Sequence, residues 1–209
     1  MTTASTSRGP GRPPAASRTE VEEIAIGLMQ RHGYDGVGVE AIVEAAGIGR
    51  TTFFRYFGSK PGVIWGPFDD TIEELGARLR DASADSDPLE AVRGAVTTST
   101  HVAVSSSDVW LERFKLLDTS PALRAGAYEH WERWKQVIGS YLARRTGRPP
   151  GDAVLVAVAS AYQGVFIAEL RNWLDGGGTR EAFLGQLDRS LAIVTAALTT
   201  GLLAEPPDA

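Results

Sequence analysis

The stretch GIGRTTFFRYFGSK, residues 47–60, holds four aromatic side chains and three cations and no carboxylate. The chain around it is acidic: 21 Lys+Arg stand against 26 Asp+Glu, a formal charge of −5. Residues 1–60 carry seven basic and six acidic side chains, and those six acids all lie between Glu20 and Glu44. Cations therefore stand alone in 1–19 and again in 45–60. A polyanion can dock on such surfaces although the protein as a whole repels it.

The neighbours of this stretch read as short helices. Upstream, Ser17-Arg18-Thr19-Glu20 is a capping box, whose hydroxyl and carboxylate satisfy free N–H groups at a helix start. Val21, Ile24, Ala25, Leu28 and Met29 follow at helical spacing, and His32-Gly33 ends that helix. A second helix runs over Val39 to Ala46 and Gly47 closes it; the third runs from Arg50 to Phe57. Three short helices, the last two joined by AAGIG, describe a helix-turn-helix unit. On the third, Phe53 and Phe57 share an inward edge with Ile48. Arg50, Thr51, Phe54 and Arg55 lie around the other side, which has no acid to repel phosphate.

Chemistry suggests roles for these side chains. Arg50 sits at the helix N-terminus, the end that meets base edges, and arginine pairs bidentately with guanine. Thr51 can give a base a hydroxyl or methyl contact. Thr52, Tyr56 and Lys60 suit phosphate, which sets register and not sequence. Arg55 is either a contact or a solvated cation. Residues 1–16 are polar, with Arg8 and Arg12 among Gly and Pro, and read as a disordered basic arm. Arg12, with Arg18 just beyond it, either reaches a narrow minor groove or merely solubilises.

The remaining chain reads as further helices. Ser59 caps a fourth, Lys60 to Asp81, with Pro61 harmless in its first turn. Asp87-Pro88-Leu89-Glu90 starts a fifth and Ser107-Asp108 a sixth. Ser120-Pro121 starts a longer one, reaching about Arg145. TGRPPGD breaks the chain at 146–152, residues 153–173 are apolar and rich in small side chains, and 180–203 make the last helix. The class is all-α, about nine helices with no alternating strand pattern. The expected divisions are a basic arm at 1–16, a helix-turn-helix domain at 17–60, and a ligand-binding and dimerisation domain at 61–205.

At 209 residues, 43% hydrophobic and 22% charged, the chain can bury a substantial core. No run of roughly 18 apolar residues is evident, so no membrane partner is expected. The N-terminus lacks an apolar signal core, and a cytoplasmic location follows. The absence of cysteine excludes disulfides and cysteine-based metal or nucleophile sites. Enzymatic motifs are missing too. There is no G-x-S-x-G or phosphate loop, Gly176-Gly177-Gly178 lacks a following Lys-Ser/Thr, and His32, His101 and His130 are far apart. No enzyme, cofactor or metal is expected.

Residues 18–65 resemble the DNA-binding domain of the TetR family of bacterial transcriptional regulators. The resemblance rests on Ile42 to Ile48 followed by Gly49-Arg50-Thr51-Thr52-Phe53-Phe54-Arg55-Tyr56-Phe57-Gly58-Ser59-Lys60. It departs from the family pattern at Gly49 (usually Ser), at Phe54 (usually Tyr, whose hydroxyl would bind phosphate) and at Gly38-Val39, where Ser or Thr usually caps the second helix. The continuation Val63-Ile64-Trp65-Gly66-Pro67-Phe68-Asp69 is similar to the regulators attached to mycofactocin biosynthesis clusters. The resemblance implies a repressor that binds double-stranded DNA as a homodimer and is released by a small-molecule effector. The resemblance to the mycofactocin group suggests a long-chain acyl-CoA as that effector; a small apolar ligand is the other reading.

A sensor needs a cavity. The large side chains available to line it are Trp65, Phe68, Trp110, Phe114, Tyr128, Trp131, Trp134 and Phe166. Trp131, Trp134 and Ile138 form a helical stripe that is either core or ligand box. His101, Gln163 and Glu169 either orient a ligand or are satisfied core groups. Arg144-Arg145 or Arg124 could face a CoA head group, or complement a helix C-terminus. For dimerisation, Ala157, Ala161 and Gly164 on the 153–173 helix and Leu187, Leu191, Val194 and Leu198 on the last helix suggest a four-helix interface. A single-chain core is the other reading. The alternative function is a small-molecule carrier with a non-functional helix-turn-helix.

Overall fold

The computed structural model describes residues 16–117 and 120–201. Among them are eight α-helices and one 3₁₀ helix: α1 (Arg18–His32), α2 (Val39–Ala45), α3 (Arg50–Phe57), α4 (Lys60–Asp81), α5 (Pro88–Ser106), the 3₁₀ helix (Glu112–Leu116), α6 (Pro121–Thr146), α7 (Ala153–Gly176) and α8 (Arg180–Gly201). The sequence suggests about nine α-helices; the one expected after Ser107-Asp108 is the short 3₁₀ segment instead. Most of the basic arm lies outside the described residues.

Helix starts follow local chemistry. At α1 the Ser17 hydroxyl accepts from the Glu20 N–H (3.2 Å) and the Glu20 carboxylate accepts from the Ser17 N–H (2.7 Å), closing the capping box. Asp87 caps α5 through the N–H groups of Leu89 and Glu90, and Asp152 caps α7 through those of Val154 and Leu155. α2 and α3 begin at Gly38 and Gly49 without side-chain caps. They are held by packing: Ile42 and Phe53 are fully buried, and Phe57 nearly so, in one cluster with Val21, Ile26 and Met29 of α1.

α3 passes into α4 through a tight corner. A Cβ at Gly62 would lie 1.9 Å from the Phe57 carbonyl oxygen, so a side chain there would push the two helices apart. α4 then runs out of the three-helix unit and packs on α5 and α6; α5 packs on α8, α6 on α7, and α7 on α8. One apolar cluster extends through both parts.

α7 corrects the expectation about apolar runs. By length and composition it could cross a membrane, and 39% of its most apolar window is buried among the other helices. Val158, Tyr162 and Phe166 face inward. Tyr162 donates to the Leu89 carbonyl (3.0 Å) and bonds the Thr195 hydroxyl (2.8 Å), tying α7 to α5 and α8.

Candidate functional site

The outer face of α3 is open to solvent. Arg50, Thr51, Phe54 and Arg55 are exposed; Thr52 and Tyr56 are half-buried. An exposed phenylalanine at 41% is unusual for a small helix packed on a core, and it leaves an apolar ring beside two guanidiniums. Arg50 lies 5.8 Å from the Phe54 ring and Arg55 lies 5.3 Å from the Tyr56 ring.

The face is less free of acid than α3 alone suggests. Glu40 of α2 reaches the Arg50 guanidinium and pairs with it. Both side chains stay largely exposed, at 62% and 67%, so the pair is worth at most about 1 kcal/mol and can be exchanged for another acceptor. Glu40 was not visible as a neighbour because α2 and α3 are read separately along the sequence. The signal was its place in the first turn of α2, on the side that the AAGIG turn brings to α3.

The other expected DNA contacts are distributed unevenly. The Tyr56 hydroxyl donates to the Ala16 carbonyl (3.3 Å), anchoring the chain where it enters α1. Lys60 is half-buried with its ammonium 4.0 Å from the Tyr34 ring, and burial lowers its pKa against the pull of Asp35. Arg18 pairs with Asp70 of α4 (3.0 Å) across the two parts, with both side chains substantially exposed. Arg12 lies outside the described residues.

Behind this face is a joint that sequence reading missed. Pro67 sits inside α4 and has no N–H, so the carbonyl of Val63, four residues back, loses its helical donor. The Arg113 guanidinium, fully buried, supplies one: it donates to the carbonyls of Val63 (3.2 Å) and Ile64 (3.3 Å), to Trp110 (2.8 Å), and to the Glu22 carboxylate of α1. The Ser107 hydroxyl also donates to Glu22 (3.1 Å). Burial pushes the Arg113 pKa down while Glu22 holds it up. This cluster joins α1, α4 and the 107–116 segment. Its sequence signal was an arginine flanked by the large apolar side chains of Trp110, Leu111, Phe114 and Leu116, together with a proline four residues after a buried helical carbonyl.

The aromatic residues expected to line a cavity fill one another's space. Trp65, Phe68, Trp110, Phe114, Trp134 and Phe166 are buried, and Trp131 is partly so. Phe68 meets Trp131 at 4.6 Å and Phe114 at 5.9 Å, and Phe166 meets Trp131 at 5.7 Å. These are the edge-to-face distances of a packed core. Gln163 donates to the Trp131 carbonyl (3.1 Å) and Glu169 accepts from Ser190 (2.6 Å), so both are satisfied links between helices. His101 is exposed, beside a shallow groove between α5 and α8, and does not point into the aromatic cluster. His130 does face it, stacked on Trp65 at 4.5 Å and bonded to Asp69 at 2.7 Å. Arg145 donates to the carbonyls of Ser83 and Ala84 in the loop between α4 and α5, so it ties α6 to that loop. Tyr128 is 68% exposed.

The expected dimer residues divide. Leu187, Leu191 and Leu198 of α8 are buried within the chain itself, so they are core and not interface; Val194 is half-buried. Ala157 and Gly164 of α7 are exposed and Ala161 is half-buried. Two large apolar side chains on these helices, absent from the expectation, are also exposed: Val156 of α7 (49%) and Ile193 of α8 (72%).

A three-helix unit with an outward cationic face, carried on a helical bundle, is the architecture of a one-component DNA-binding regulator. Residues 20–64 match the family of bacterial regulatory proteins of the tetR type, and residues 86–199 match the MftR C-terminal domain. The chain belongs to the TetR family of transcriptional regulators, in the group that carries the MftR-type C-terminal domain. It is 29% identical over 164 residues to a Mycobacterium tuberculosis protein named MftR, for mycofactocin biosynthesis transcriptional regulator, covering 78% of this chain and 83% of the relative. It is also 29% identical over 138 residues to the transcriptional repressor AcnR of Corynebacterium glutamicum, covering 66% and 70%. Among solved structures, Thermus thermophilus FadR in complex with lauroyl-CoA superposes with a TM-score of 0.56 at 21% identity, over 92% of this chain and 99% of that one. A TetR-type regulator from Mesorhizobium loti superposes with a TM-score of 0.56 at 19% identity, over 86% and 95%. These structural likenesses establish the fold.

Proposed function

We propose that the protein is a ligand-responsive repressor in the cytoplasm. It binds a near-palindromic operator as a homodimer through α3 and is released by an acyl-CoA effector. The observation that carries this reading is the open face of α3, where Arg50, Thr51, Phe54 and Arg55 face solvent while Phe53 and Phe57 are sealed inside. Arg50 exchanges Glu40 for a guanine edge; Thr51 and Phe54 offer methyl and ring contacts to thymine; Thr52, Tyr56 and Lys60 approach phosphate.

Dimerisation is supported by the outer faces of α7 and α8. Val156, Ala157, Ala161 and Gly164 on one helix and Ile193 on the other present an apolar, small-residue surface that water leaves poorly served. A two-fold dimer that reads successive major grooves needs its α3 helices about 34–36 Å apart. An acyl-CoA effector is supported by the lauroyl-CoA complex of the Thermus relative. Control of mycofactocin genes is supported by the name of the Mycobacterium relative.

DNA fragments selected by the purified protein test this. The reading expects an inverted-repeat consensus, binding that weakens steeply with salt, a dimer in solution, and release by palmitoyl-CoA. A protein that binds palmitoyl-CoA and selects no DNA sequence is a carrier instead.

A further inference from the structure

A groove runs along the outside of the bundle between α4 and α6, with a volume of about 570 Å³. Its walls carry Arg80, Arg133 and Arg144, with Glu73 as the only acid. That is a local reversal of sign, because residues 61–209 hold more acids than bases. Several arginines of this acidic chain are matched with a carboxylate: Arg18 with Asp70, Arg78 with Glu74, Arg93 with Asp188, Arg148 with Asp152, Arg180 with Asp108. Among the described residues, Arg80 and Arg144 have no such partner. Arg144 donates to the Ser140 carbonyl of its own helix (3.2 Å), and Arg133 shares Asp69 with His130. Two guanidiniums that no described carboxylate pairs with therefore face one concave space, in which Glu73 is the single acid.

The groove is also kept open. Gly76 sits buried in the middle of α4, where glycine weakens a helix by about 1 kcal/mol relative to alanine. A Cβ there would meet Arg80 Nη1 at 3.3 Å and Val137 Cγ1 at 3.6 Å. The residue thus leaves room for Arg80 above an apolar floor of Ile72, Leu79 and Val137. Guanidiniums over an apolar floor, with Gln136 and Ser140 as neutral hydrogen-bonding partners, suit an organic phosphate better than a bare ion. Arginine forks match phosphate oxygens, and a heterocycle can cover the floor.

We propose that the α4/α6 groove binds the phosphorylated nucleotide head of the effector. This inference rests on the acyl-CoA reading for its natural ligand, though the groove's own chemistry requires only an organic phosphate. It assigns to the exterior of the bundle the recognition of the charged head alone.

Isothermal titration of the full-length protein with coenzyme A, palmitoyl-CoA and inorganic pyrophosphate tests the assignment, using the parent, Arg80→Ala/Arg144→Ala and Glu73→Gln. All three substituted residues are exposed, so circular dichroism and operator affinity should stay at the parent's values. Coenzyme A without an acyl chain should bind the parent. Affinity should fall roughly tenfold or more in the double variant, one decade for each 1.4 kcal/mol of lost charge-assisted contact, and rise in Glu73→Gln. Equal binding of coenzyme A by parent and double variant overturns the site, as does pyrophosphate binding as tightly as coenzyme A, which would mark a general anion patch. If palmitoyl-CoA releases operator from the double variant at the parent's concentration, the groove is wrong and the effector reading survives. If coenzyme A needs the arginines but palmitoyl-CoA never releases operator, the groove stands and the effector reading fails.

Discussion

Two regions of the molecule each hold one Arg–Glu pair, and their surroundings give them opposite uses. Arg50 and Glu40 meet on the outside of α2 and α3, in water. Arg113 and Glu22 meet at the base of the three-helix unit, with side-chain exposures of 0% and 6%. In water such a pair is nearly free to come apart. Buried, it is bound to its place, because removing one partner leaves the other charge without water or counter-ion. The same two residue types therefore make an exchangeable contact where the protein meets its target and a fixed brace where its two parts meet.

The strongest way to sharpen this contrast is Arg113→Leu. Glu22 would be left buried and the Val63 carbonyl without its donor, and the expected loss is about 3–5 kcal/mol of folding stability, read as a lowered midpoint in urea. Glu22→Leu/Arg113→Leu should recover part of that loss. A wild-type midpoint for the single variant would mean that the joint is not formed in solution.

Next is the aromatic cluster expected to line a cavity. Phe68→Ala removes a ring touching Trp65, Phe114 and Trp131 and should cost about 3–5 kcal/mol. A cost below 1 kcal/mol would indicate a space already hollow, and would restore the lining role to these aromatics. Ile193→Asp alters an exposed side chain, so monomer stability should change by less than about 0.5 kcal/mol. The dimer, measured by light scattering, should dissociate at concentrations at which the parent does not. Smallest is Lys60→Ala, which should lower the salt slope of DNA binding by about one while leaving sequence preference intact.

The helices were largely legible because their starts announce themselves chemically: Ser17 with Glu20, Ser59 before Pro61, Asp87 before Pro88, and Ser120 before Pro121. The 107–116 segment was not legible, because its bends serve Arg113, whose partners Glu22, Val63 and Ile64 lie about 50 residues or more away along the chain. The outward side of α3 could be read from the charge and spacing of one short helix, whereas Glu40 enters only once two helices are folded together. In the C-terminal part the periodic leucines marked the buried side of α8 without saying what buries it. Leu187 and Leu191 pack inside the chain, and the side chain left for a partner, Ile193, lies off their stripe. Size and apolarity likewise could not separate a lined cavity from rings packed on rings, since both need the same aromatic residues.

The most direct test of the central claim is selection of DNA by the parent and by Arg50→Ala in parallel, with affinities measured at one fixed salt concentration. The account predicts an inverted repeat with half-sites one helical turn apart. In the variant, affinity should fall by about 1–3 kcal/mol and preference should relax at one base pair in each half-site. The same consensus at the same affinity from both proteins would contradict it, because Arg50 and the exposed side of α3 would then not be inside the groove.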